Sequence, residues 1–527
     1  MALNESDRDF RKYQAAWARG SASSDTLAGD RELERKIRLL VVAGLVLGLV
    51  FILHSALPAA EAEKISDKAI TRAVESALYL DELVSAHLVD VETGQGIVTL
   101  SGTVDNILAR ERASKVAESI RGVRSVVNRI GVACIVKPDK TLEKDVRAAL
   151  AEDPATESYQ IAVNARDGIV TLEGEVDSWD EKQIAGTVAM GVAGVRDLNN
   201  RMNIDYEGVR TDQEIRAEIE RRLELDPYVY EGMIEVEVSG GRVSLSGIVG
   251  SAAERTHAIT DSWVTGVTEV EAGGLEVRWW AREDLKRESR ISFATDEEVE
   301  QAVRDALRYD PRTAPYDFGV SVEDRQVILT GVTDNLAAKT AAGDNARNTI
   351  GVSGVDNFIK VRPEVELTTE RIEQNVERAL NRDPLLERYT LTPVVRNRKV
   401  YLYGTVDTFC DRQRAVNVAS RVWGVVDVMD NLEVSAAETM KSDDLIQQDI
   451  ESELFWSFFV DSDNIEVSVE DGVATLTGVV TSWQELRAAI ENAFDGGAVG
   501  VKSELVVHEM PRYAPSYYRP RYNRPVP

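Results

Sequence analysis

The chain has 527 residues, 29% charged and 43% apolar, with a formal net charge of −29. That length exceeds what one hydrophobic core serves and fits several small domains. The acidic balance excludes a nucleic-acid binder, which needs a basic face, and simple electrostatic attraction to anionic lipid.

Residues 1–34 are polar and without periodicity, and they predict a disordered cytoplasmic tail. Residues 35–60 follow as a predicted transmembrane anchor, whose positions 39–60 read LLVVAGLVLGLVFILHSALPAA. About 20 apolar residues span the hydrocarbon core of a bilayer. Arg35, Lys36 and Arg38 precede the segment, and Glu61 and Glu63 follow it. The positive-inside rule therefore keeps the N-terminus in the cytoplasm and exports the rest. A cleaved signal peptide is the competing reading, but its basic region would be 38 residues long. Gly44 and Gly48, four apart, are a candidate helix–helix contact in lipid.

Beyond the anchor the chain repeats itself. GIVTLSGTV at 96–104 returns as GIVTLEGEV at 168–176, GRVSLSGIV at 241–249, RQVILTGVT at 325–333, RKVYLYGTV at 398–406 and GVATLTGVV at 472–480. The shared glycine falls at Gly102, Gly174, Gly247, Gly331, Gly404 and Gly478. The eleventh residue after each is alanine in all six, from Ala113 to Ala489. Six copies of one module are present.

In module 2, TLEKDVRAALAEDP (141–154) puts Leu142, Val146, Ala149 and Leu150 on one helical face. Asp153-Pro154 stops that helix, as Asp226-Pro227, Asp310-Pro311 and Asp383-Pro384 do later. An alternating run, Asp167-Gly168 and the glycine motif then read as a hairpin. The module glycine, inside a strand, marks a bulge or a backbone pressed close. Ser178 with Glu181, Ser251 with Glu254 and Ser482 with Glu485 are capping boxes opening a second helix. A Gly-Val step such as Gly194-Val195 leads to a last strand. Each module is thus helix–strand–strand–helix–strand, an α+β sandwich. The expected architecture is six such domains, beads on a string, behind one transmembrane helix. They cover 65–135, 139–206, 211–280, 295–363, 368–435 and 441–508, with a linker at 281–294. Laid end to end, six 70-residue domains reach about 170 Å. Residues 509–527, rich in Pro, Tyr and Arg, form an extended tail.

This order resembles the BON domain, a family named for bacterial osmotic-stress and nodulation proteins. Gly102, Gly122, Val126 and Asn128 carry the likeness in module 1, Gly174, Gly194 and Asn199 in module 2, and Gly351, Val355 and Asn357 in module 4. The resemblance implies a non-enzymatic, envelope-located domain associated with phospholipid binding, membrane integrity and osmotic stress. It brings no catalytic residues.

The residues agree with that reading. Cys134 and Cys410 lie in different modules, His54, His87, His257 and His508 are scattered, and no metal, phosphate-loop or nucleophile motif is present. No cofactor, metal, small-molecule substrate or nucleic-acid partner is expected. Module 6 places Phe455, Trp456, Phe458 and Phe459 where other copies carry a charge and Asp-Pro. These aromatics are a candidate lipid or partner contact, or else core filling. Trp279 and Trp280, at a strand end, are a second candidate. Trp179 and Trp483 share one position with Ile107, Ala252, Leu336 and Phe409, a scatter that reads as local packing. The expected function is a single-pass protein of the bacterial inner membrane with its array in the periplasm, binding phospholipid or envelope material and supporting stress tolerance. The alternative is a scaffold whose modules self-assemble into a ring or filament, as a homo-oligomer.

Overall fold

The computed structural model describes residues 65–507, apart from 82, 85–87, 136, 157–160, 207, 209, 227, 280–294, 365, 436–440 and 481. The predicted anchor, its Gly44 and Gly48, the cytoplasmic tail and the C-terminal tail lie outside the described residues. Among those described, no helix is long and apolar enough to cross a membrane.

Each module has the predicted element order. In module 1 a helix (Asp67–Leu80) precedes a hairpin (Val89–Gly94 and Ile97–Val104), a second helix (Ile107–Glu118) and a last strand (Ser125–Asn128). The hairpin is antiparallel, with Val91 opposite Leu100, and the last strand joins in parallel with Val126 opposite Val98. The second strand is therefore central. Val98 and Leu100 point at the helices and are fully buried, while Thr99 and Ser101 face outward. Gly174 and Gly331 split the central strand in modules 2 and 4, and it runs through the glycine in the other four.

The module glycine is required twice over. Gly102 has φ +112°, and a Cβ there would meet the Leu88 carbonyl oxygen at 2.0 Å. Gly247 meets Met233 and Gly478 meets Asn464 in the same way.

The hairpin turns hold positive φ at both central residues, including Asp324 and Arg325, and Asn397 and Arg398. One side chain anchors most of these turns. Asp67, the first residue of its helix, accepts from the Gln95 and Gly96 amides at 2.8 Å each. Asp212, Asp296 and Asp443 each clamp both turn amides of their own modules, and Asp139 accepts from Asp167. Five such aspartates, four holding both turn amides and Asp139 one, tie helix start to hairpin tip at fixed spacing.

Helix ends follow local chemistry. Asp153, Asp226, Asp310 and Asp383 each close their helix and accept from the amide two residues on. Asp81 does the same without a following proline. At the second helices Ser178, Ser251 and Ser482 cap as expected. Their glutamates reach elsewhere: Glu181 and Glu254 take the amides of Asp177 and Gly250, and Glu485 takes that of Asp461. Reciprocal capping boxes form instead on first helices, at Thr211 with Glu214 and Thr295 with Glu298. In module 2 it is Asn200, rather than Asn199, that matches Asn128 and Asn357. Each of these three donates from Nδ2 back to the second helix, to the carbonyls of Lys182, Arg110 and Lys339.

The modules are not beads on a string. One apolar cluster joins modules 1 and 2 and takes in Ala252 of module 3 and Trp456 of module 6. Ala193 donates its amide to Arg382, and Phe409 stacks on Phe494 with centroids 4.0 Å apart. The described residues from 65 to 507 form one compact unit. The extended reach of about 170 Å is therefore not realised. Short linkers permit close packing as readily as extension, and apolar surface on the helices drives the former.

Candidate functional site

The aromatic end of module 6 was the foremost candidate, and the structure places it inside a junction. Its first helix (Asp443–Trp456) ends at Ser457, which forms an antiparallel bridge with Ile120 of module 1. Arg121 donates its amide to the Trp456 carbonyl at 3.1 Å, and Phe458 donates to that of Ser119 at 2.8 Å. The Arg121 guanidinium donates to the Val460 carbonyl and lies 5.7 Å from the Phe455 ring. Trp456 and Phe458 are buried, at 7% and 9% exposure. Phe459 meets Tyr228 of module 3 edge-on at 4.6 Å. These four side chains are therefore filling between modules 1, 3 and 6, not a free lipid-facing patch. This helix stops after 14 residues, as the Asp-Pro helices do, so it is the residue types at its end that carry apolar bulk into the neighbours. Of the second candidate, Trp279 is half-buried just past its strand, and Trp280 lies outside the described residues.

Beside the aromatics a cavity of about 280 Å³ opens between the same three modules. Arg112, Glu118, His257, Glu453, Glu491 and Asp495 line it. Arg112 donates to Asp81 at 2.6 Å and stands 3.7 Å from Asp495, one cation between two carboxylates. Burial, then the Asp81 charge, pushes Asp495 up to about 8. Burial and Asp449 push Glu453 up to about 7, and burial raises Glu118. His257 Nδ1 lies 2.9 Å from Asp226 Oδ2. Perturbed carboxyls in a cleft are a usual sign of a working site. Here they stand at an interface between modules. Among the described residues no group of three His, Cys, Asp or Glu is arranged to hold a metal ion. Cys134 and Cys410 are not joined to each other.

The outward sheet faces give a second surface. In module 3 the middle row reads Glu237, Ser244 and Glu271, and in module 6 it reads Ser468, Thr475 and Lys502. Module 5 carries Val394, Tyr401 and Met429 in that row. Tyr403 is 46% exposed beside it and Met429 is 42% exposed. Arg396 and Lys399 border the row, Lys399 pairing with Asp427 at 2.7 Å. The sequence reading missed this face, although YLY against the SLS and TLT of modules 3 and 6 was its signal.

The BON domain model matches six times, at residues 66–134, 138–206, 211–278, 295–363, 368–436 and 442–508. The chain belongs to the BON-domain family. It is 33% identical over 141 residues to osmotically-inducible protein Y of Escherichia coli K12, covering 25% of this chain and 70% of that protein. An uncharacterized protein from the gshII 5′ region of Anaplasma centrale is 26% identical over 152 residues, covering 28% of this chain and 99% of that one. Among solved structures, the C-terminal domain of CdsD, a structural protein of the type III secretion system of Chlamydia trachomatis, matches 42% of this chain and 99% of its own at 15% identity, with a TM-score of 0.11. A second CdsD structure matches at 14% identity, again over 42% of this chain and all of its own, with a TM-score of 0.12.

Proposed function

We propose that this BON protein is a non-enzymatic component of the bacterial cell envelope that supports integrity under osmotic stress. The apolar segment 39–60 anchors it in the inner membrane, and the six-module body stands on the periplasmic side. Its likeness to an osmotically-inducible protein supports the stress role.

The body contacts phospholipid or other envelope material through the outward sheet of module 5. The observation carrying this is the apolar row Val394, Tyr401 and Met429, set in a chain of net charge −29 whose module 3 shows glutamates there. Tyrosines suit an interface that is apolar on one side and wet on the other. Flotation of residues 61–510 with phosphatidylethanolamine–phosphatidylglycerol vesicles tests it. The native protein floats, and the double variant Tyr403→Ser, Met429→Ser stays at the bottom with its fold intact. Equal flotation of the two, or none by either, removes this face from the function.

A second reading, assembly between chains, draws on the module-to-module contacts. Light scattering distinguishes it: a mass above one chain supports assembly, and a strict monomer rules it out.

A further inference from the structure

The contacts between modules repeat at fixed distances from the module glycine. Trp179, five residues after Gly174, stacks on Trp263, sixteen after Gly247, with centroids 5.9 Å apart and planes 4° apart. Phe409, five after Gly404, stacks on Phe494, sixteen after Gly478. Position five of one module thus meets position sixteen of the next. Leu336 and Ile107 hold position five in modules 4 and 1. Leu336 packs on the module 5 core, and Ile107 shares a cluster with Met190 at position sixteen of module 2.

The last module of each trio closes back on its first. Ala252 of module 3 joins the cluster of modules 1 and 2, and Thr256 donates to Glu118, at position sixteen of module 1, at 3.2 Å. Trp483 of module 6 packs on the core of module 4. Modules 1–3 form one closed ring and modules 4–6 another, each with the same polarity.

A different contact joins the rings. Arg121, nineteen after Gly102, donates its amide to Trp456, twenty-two before Gly478. Ala193, nineteen after Gly174, donates to Arg382, twenty-two before Gly404, at 2.7 Å. Between modules 3 and 4 the Arg222 guanidinium lies 4.6 Å from the ring of Tyr309, again twenty-two before its glycine. Facing pairs 1 with 6, 2 with 5 and 3 with 4 are what two directed rings make when related by twofold axes. Tyr228 and Phe459, both nineteen before their glycines, meet between modules 3 and 6 as such axes require. This is the arrangement of a dihedral hexamer, a closed symmetry otherwise built from separate subunits.

We propose that residues 65–279 and 295–507 are two three-module rings, and that the face of each ring is an interaction surface whose partner is the other ring. The connection at 281–294 raises their local concentration but does not hold them together.

A site-specific protease sequence inserted in 281–294 of the full chain in detergent tests this. After cleavage both fragments co-elute at the mass of the uncut protein and separate only on adding denaturant. Fragments that part in buffer at micromolar concentration overturn the proposal. Glu152→Arg, opposite Arg378 and Arg382 on the facing pair 2 with 5, weakens association of the cleaved halves by at least about tenfold, and adding Arg382→Glu restores part of it. Failure of that second charge reversal to restore any association overturns the facing of modules 2 and 5.

Discussion

The junctions of module 1 with 6 and of module 2 with 5 are built on the same backbone hydrogen bond and stabilised by opposite chemistry. At the first, Trp456 and Phe458 fill the space, Glu453 is buried, and Asp495 stands 3.7 Å from Arg112. At the second, Arg382 occupies the Trp456 position and pairs with Glu152, which Arg378 also reaches at 3.1 Å. The geometry of the repeat therefore fixes where modules meet and leaves open what holds them. An apolar junction gains from area removed from water, whereas an ionic one must first offset desolvation of both charges. Such divergence gives each facing pair its own complement, which favours one arrangement of six near-identical domains over the alternatives.

The largest way to break the comparison is Trp456→Ala. It removes a side chain at 7% exposure from the module 1 cluster and costs about 3–5 kcal/mol, read by denaturant unfolding. The loss spreads to modules 1 and 3, so hydrogen exchange there rises along with that in module 6. Exchange confined to module 6 would show the junction to be passive.

Acidity sharpens the comparison next. Asp495 is raised to about 8 and Glu453 to about 7, against about 4 for an unfolded carboxyl. Between those limits the folded chain holds protons that the unfolded chain has released. Stability therefore falls as pH rises from about 5 to 8, by up to about 1.4 kcal/mol per pH unit per proton, and levels off above that. Asp495→Asn flattens its share of the slope. Melting temperatures of both proteins from pH 5.5 to 8.5 check this, and parallel curves would deny Asp495 the role.

How much of this was legible in the sequence follows from how local each cause is. The module order, the glycine and the serine caps rest on neighbours within a few residues, so pattern alone finds them. The Asp67-type clamp spans about 28 residues to its turn, but it recurs in five modules and an internal alignment would have exposed it. The Asn199-for-Asn200 reading was a one-residue slip in a Leu-x-Asn step of the kind that repeats allow. The ring contacts stayed hidden because position five varies among Trp, Phe, Leu, Ile and Ala. Variation there looked like packing inside each module. It is packing, but each residue fits a different neighbour, and identity across copies could not signal it. The exposed row of module 5 and the burial of Phe455–Phe459 depend in the same way on which faces the assembly leaves uncovered.

The smallest test concerns the ionic junction. Glu152→Gln keeps an acceptor before Arg382 and removes the charge, leaving a guanidinium at 14% exposure without its anion. Charge-assisted hydrogen bonds exceed neutral ones by about twofold, so the cost is about 1 kcal/mol. Because Glu152 is 21% exposed, about 1 M NaCl screens part of the attraction and narrows the gap between variant and native. A cost indifferent to salt would mean that module 2 meets module 5 through its backbone and apolar contacts, making the two junctions alike after all.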